Sequence, residues 1–167
     1  MAVPAHLVEE QRAVEAEIRR AFAGVTREGG VSWSEAVAID GYEILETREA
    51  ARAKDKEASW EELVEDPEWN PDRGVGGFTF LDPIGFRYYI APAMIRWTRD
   101  GCGNPFWLNI VTNYLQSKTD LMTDAQRRAA ARFARFMISL SEAERNDYEA
   151  KKWRDAYEGY WWEWGEA

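Results

Sequence analysis

Apolar residues recur at helical spacing over most of the chain. Leu7, Val14, Ile18, Phe22 and Val25 are separated by seven, four, four and three residues, which puts them on one stripe of a helix ending near Gly24. Behind a break at Gly29-Gly30, Ser32 and Glu35 form a capping-box pattern. They predict a second helix to about Lys56, with Trp33, Ala36, Val37, Ile44 and Ala51 inward and Glu43, Glu46, Glu49, Arg52 and Asp55 largely outward. Ser59 and Glu62 repeat the capping pattern before a short helix carrying Trp60 and Leu63. A Pro- and Gly-rich loop from Asp66 to Gly77 comes next, of a length that in compact domains usually marks a binding or a mobile segment.

The period then changes. Phe78, Phe80, Phe86, Tyr88 and Ile90 alternate with other side chains on either side of Asp82-Pro83-Ile84-Gly85. This predicts a β-hairpin over residues 78–90, turning through a type I turn with a bulge at Gly85, with Phe80 opposite Tyr88 and Leu81 opposite Arg87. Pro92 suits the first turn of a helix bearing Met94, Ile95 and Trp97, stopped at Gly101-Cys102-Gly103-Asn104-Pro105. A short aromatic helix from Phe106 to Leu115 is expected next. Thr123 with Gln126 opens a helix whose core face is Ala130, Phe133, Ala134, Met137 and Ile138. Ser141 with Glu144 predicts the start of a last helix, whose stripe Ala150, Trp153 and Tyr157 continues into Tyr160, Trp161 and Trp164. The expected fold is mainly α, with about six helices packed around a single β-hairpin in one domain over residues 1–167.

Composition narrows the partners. The 167 residues carry a net charge of -9, and that sign repels nucleic-acid phosphates and anionic membranes. A single cysteine, Cys102, excludes an intramolecular disulfide and a Cys-based zinc site and fits a reducing compartment. Met1 to Gln11 lacks the basic and apolar regions of a signal peptide, and no stretch approaches a membrane span, so the expected location is cytoplasmic.

The lone histidine, His6, has no acid or nucleophile patterned around it, which leaves no catalytic triad, no His-rich metal site and no cofactor to expect. Glu43, Glu46, Glu49 and Asp55 could offer carboxylates to a cation, but Arg48, Arg52 and Lys56 lie between them at helical distances and favour a solvated ion-paired face. Arg128, Arg132 and Arg135 make a basic row that would either pair with acidic neighbours or dock an acidic partner. Among nine tryptophans, Trp162 is the one in the C-terminal run expected off the packed stripe, and is a candidate interface residue beside those arginines. Asp40 interrupts the apolar face of the second helix and needs a partner, either a fixed donor or a ligand. With Asp82 in the turn and Arg87 beside Tyr89, it suggests a polar cluster in which Asp40 and Arg87 satisfy each other.

Several segments together resemble a bacterial family of unknown function. They are Ala21-Phe22-Ala23-Gly24-Val25, Glu35-Ala36, Ile39-Asp40 with Tyr42, Ala51-Arg52 and Asp55 leading to Trp60. Phe80-Leu81-Asp82-Pro83-Ile84-Gly85-Phe86-Arg87-Tyr88-Tyr89 with Pro92-Ala93-Met94 completes the set. The likeness covers about residues 18 to 97, and residues 101–121 fall outside it as a candidate insertion. It implies a shared fold and a set of candidate residues, Asp40, Asp55, Trp60, Asp82, Arg87 and Tyr89, without any chemistry.

Two functional readings fit these features. The favoured one is a non-enzymatic interaction protein, immunity-like or regulatory, whose acidic surface and aromatic patches bind another protein. The alternative is a small enzyme or ligand-binding domain with a cleft between the second helix and the hairpin, using Asp40, Asp55, Asp82, Arg87 and Tyr89.

Overall fold

A computed structural model describes residues 2–73, 75–101 and 116–166. Among the described residues every regular element is helical. The order is α1 (Val8–Ala21), α2 (Trp33–Asp40), α3 (Leu45–Arg52), α4 (Trp60–Glu65), α5 (Pro83–Asp100), α6 (Asp124–Ala143) and α7 (Asp147–Ala156). A π-turn, Tyr157–Trp161, leads into the last short helix, α8 (Trp162–Gly165). The mainly α expectation therefore holds. The expected helix from Phe106 to Leu115 and the turn at Cys102 lie outside the described residues.

The β-hairpin does not exist. Gly77–Phe80 is a 3-10 turn, and Pro83 opens an 18-residue helix that runs through Phe86, Tyr88 and Ile90 to Asp100. Asp82 is its N-cap, with the carboxylate accepting the Gly85 amide at 2.8 Å, and Pro83 takes the first helical position. A type I turn and the first turn of a helix share the same backbone angles at their early positions, so Asp-Pro-x-Gly suits both. The residues after Gly85 decide between them. Phe86, Tyr88, Tyr89, Ile90, Ala91, Ala93, Met94 and Ile95 are all buried, because α5 lies at the centre of the core with α1, α4 and α6 against it. A helix buried all round carries no 3.6-residue apolar period. Pro92 accordingly sits inside α5 rather than at a helix start, removing one rung of its hydrogen-bond ladder.

The expected long second helix is broken in two. The chain leaves α2 at Gly41, and Ile44, expected inward, is instead 66% exposed. The capping boxes at Ser32 and Thr123 are both fully formed. Ser59 precedes α4 without a side-chain capping bond. Ser141 starts nothing: it is a buried residue inside α6, and α7 is capped by the Asn146 side chain, which accepts the Glu149 amide at 3.2 Å.

The loop after α4 is tied down. Arg96 donates to the Asp66 carbonyl at 3.0 Å and to that of Trp69, while the Trp97 indole donates to Asp72 at 2.9 Å. Trp69 is thereby buried against Trp33, with ring centroids 5.3 Å apart. Among the described residues no helix is long and apolar enough to cross a membrane.

Candidate functional site

The N-terminus of α2 gathers most of the polar side chains singled out in the sequence. A helix leaves the N–H groups of its first turn without intrahelical partners. Here each has one. Ser32 and Glu35 satisfy each other's amides through the capping box. The Trp33 amide donates to the Tyr89 hydroxyl at 3.0 Å, and the Ser34 amide to Asp55 Oδ2 at 2.7 Å. The second Asp55 oxygen accepts the Ser34 hydroxyl, also at 2.7 Å.

A second layer holds those partners. Tyr89 donates its hydroxyl proton to Glu57 Oε1 at 3.2 Å, and Arg27 Nε donates to the same oxygen at 2.9 Å. Arg27 also reaches the Asp55 carbonyl at 2.7 Å, fixing the stretch of chain that carries both acids. Burial, reinforced by the negative charge of Glu57, pushes the Tyr89 phenol far above its ordinary value. Tyr89 thus stays a protonated donor at every physiological pH. Beside it, burial first and Glu57 second also push the Tyr88 phenol up.

Asp82 completes the frame from the other side. Its Oδ1 accepts both the Gly85 amide and the Val31 amide, the latter at 2.9 Å, joining the start of α5 to the segment that enters α2. Gly85 must lack a side chain there, because a Cβ would run into the Val31 carbonyl oxygen.

These residues border a cleft of about 780 Å³ walled by Trp33, Trp69, Tyr89, Asp55, Glu57 and Arg73. Its size suits a small ligand. Two of its candidate residues are committed: both Asp55 oxygens are on Ser34, and the Tyr89 hydroxyl already donates to one acid and accepts one amide. Asp55 and Tyr89 thus position backbone, and neither is left free to serve as the base or acid of a proton transfer.

The remaining candidates lie apart. Asp40 Oδ2 accepts the Gly76 amide at 2.8 Å, with Gly76 at φ +71° and so close to the Val37 backbone that a Cβ would not fit. Arg87 donates to the Leu121 carbonyl at 3.2 Å, and its buried Nε has no partner among the described residues. Asp40 and Arg87 are therefore not paired with each other. Trp60 is fully buried, its indole donating to the Phe22 carbonyl at 3.0 Å. Arg128, Arg132 and Arg135 border a hollow with Trp164, and Trp162 does not line it.

Arg27, Glu57 and Trp69 were missed in the sequence. All three lie in irregular segments, where no periodicity shows which way a side chain turns. No curated protein and no solved structure matches this chain. A model described as a family of unknown function, DUF6714, matches residues 10–101, more than half of the chain, and the protein belongs to that family.

Proposed function

We propose that this is a cytoplasmic protein-binding module whose contact surface is the tip joining α2 to α3. The observation that carries the reading is a run of exposed apolar residues there. Tyr42 is 96% exposed, Ile44 66% and Leu45 65%, and Val75, 56% exposed, lines a groove with Gly41, Glu43 and Thr47 beside them. Isolated exposed apolar residues are ordinary, whereas a contiguous group marks a surface that another molecule covers.

The helix behind the tip supports this. No residue of α3 is buried; it is held by ion pairs from Arg48 and Arg52 to Glu35 and by a hydrogen bond from Arg52 to the Gly30 carbonyl. A helix so attached presents side chains outward rather than contributing to a core. Covering Tyr42, Ile44 and Leu45 would each yield on the order of 1.5–3 kcal/mol. Glu43, Glu46 and Glu49 surround them, all exposed, so the fitting partner is a protein with an apolar socket rimmed by lysine or arginine.

The enzyme reading has less support, because Asp55, Glu57 and Tyr89, the candidate acids and donor beside the cleft, are already bonded to Ser34, Arg27 and the Trp33 amide. The test is a photo-crosslinking phenylalanine analogue placed at position 42 in cells, with position 148 as control, since Tyr148 is also exposed. A discrete protein adduct at 42, absent at 148 and lost in the Ile44→Ser/Leu45→Ser variant, is expected. No adduct, or the same adducts from both positions, overturns the reading.

A further inference from the structure

The basic row on α6 belongs to a separate surface. Arg128, Arg132 and Arg135 share one face and border a hollow of about 520 Å³ with Phe136 and Trp164. The middle arginine is fully committed. Its Nε and Nη2 fork onto the Glu10 carboxylate at 2.8 and 3.1 Å, and its Nη1 donates to Glu17 at 2.8 Å, both acids coming from α1.

The outer two are not. Arg128 is exposed and makes no hydrogen bond or ion pair among the described residues. Arg135, also exposed, gives the Gly165 carbonyl a 3.3 Å bond and has no carboxylate within ion-pair distance among the described residues. On a chain of net charge -9, three arginines against Glu10 and Glu17 leave this hollow with an excess of positive charge beside an indole. Trp164 also carries the Arg127 guanidinium over its ring, 5.3 Å from the centroid.

The C-terminal backbone is bent to build this wall. The π-turn Tyr157–Trp161 widens the helix, so that Trp161 enters the core while Trp164 and Gly165 reach the hollow. Such turns inside helices are frequent at functional sites.

We propose that this hollow binds a helical segment of a partner protein carrying two carboxylates two turns apart. Arg128 and Arg135 each take one carboxylate, and the half-buried Trp164 receives the apolar side chain between them. Seven residues of helix span about 10.5 Å, the same separation along a docked helix as along α6. A compact polyanion such as phosphate fits worse, since Glu10 and Glu17 occupy the centre and would repel it.

Calorimetric titration of the full chain tests this with three probes: an alanine-based helical peptide with glutamates seven residues apart around a leucine, the same peptide with glutamines, and inorganic phosphate. The glutamate peptide should bind at least about tenfold more tightly than either other probe, weaken with added salt, and lose about tenfold or more in Arg128→Gln/Arg135→Gln, as expected for charge-assisted hydrogen bonds. Equal binding of the glutamine peptide, phosphate binding as tight as the peptide's, no binding at low salt, or undiminished binding to the double variant each overturns it.

Discussion

Asp55 holds Ser34 by both carboxylate oxygens, taking its amide and its hydroxyl at 2.7 Å each across 21 residues of chain. This bond pair docks the segment after α3 onto the first turn of α2, where a negative side chain also complements the helix dipole. Asp55→Ala should therefore destabilise the fold by about 2 kcal/mol, since it strands two donors that met a charged acceptor. Asp55→Asn should cost about half as much, because the amide oxygen can still accept one of the two bonds. Urea titration measures both, and an alanine variant as stable as the parent would show that the contact holds nothing.

Where the sequence was legible, the cause was local. Ser32 with Glu35 and Thr123 with Gln126 capped as their spacing implied, whereas Asp55, expected on an outward helix face, and Asp82 and Tyr89, expected in a hairpin, reach the start of α2 from distant segments that no spacing connects. Ser141 with Glu144 has the same spacing, yet the chain before it was already helical, which a spacing rule does not see. The segment from Phe78 to Ile90 misled for a different reason. Its turn signal serves a helix start equally well, and central burial erased the periodicity that would have separated the two. Asp40 and Arg87 each needed a partner, as chemistry required, but the partners are backbone groups, Gly76 and Leu121, which sequence does not mark.

The clasp between α5 and the entry to α2 should be intolerant of one methyl group. In Gly85→Ala the added carbon meets the Val31 carbonyl oxygen and lies 3.1 Å from Asp82 Oδ1, within backbone that Asp82 already ties on both sides. A loss of about 1–3 kcal/mol is expected, as for other overpacked sites. Gly159→Ala is the control: nothing lies within 4 Å of its added carbon, and in the helical segment it should be neutral or stabilising by up to about 1 kcal/mol. Equal urea midpoints for the two variants would show that the clasp has room for the methyl group.

Lys118 should make stability rise with pH in the weakly alkaline range. Its buried ammonium donates to the Phe78 carbonyl at 2.9 Å and to that of Thr79, and burial, only partly offset by Asp82, lowers its pKa from the ordinary 10.5 to about 8. Above that value the folded chain has released a proton that the unfolded chain keeps, so deprotonation favours folding until about pH 10. There Tyr88 and Tyr89, whose phenols burial pushes up, begin to act in the opposite sense. Urea midpoints from about pH 7 to 9.5 should climb in the parent more steeply than in Lys118→Met. Parallel slopes would mean that Lys118 titrates normally.

The tip between α2 and α3 should trade stability for contact. At the end of α2 the Tyr42 amide donates to the Ile39 carbonyl and the Glu43 amide to that of Ala38, each at 3.0 Å. This is the pairing of a Schellman motif, whose left-handed position normally holds glycine. Gly41 stands one residue too early, and Tyr42 takes that position at φ +55°. Arg145, at φ +56°, does the same at the end of α6, where its amide donates to Glu142 and that of Asn146 to Ser141. Each non-glycine residue in this conformation costs about 1 kcal/mol or more. Tyr42→Gly and Arg145→Gly should then both stabilise the fold by about 1 kcal/mol, raising Tm by roughly 2–4 °C for a chain of this size. Their effects on binding should part: Tyr42→Gly removes the most exposed aromatic of the proposed contact and abolishes the crosslinked partner's association, while Arg145→Gly leaves it intact. Scanning calorimetry with a binding titration reads both, and a Tyr42→Gly protein that gains stability without losing the partner would remove Tyr42 from the interface.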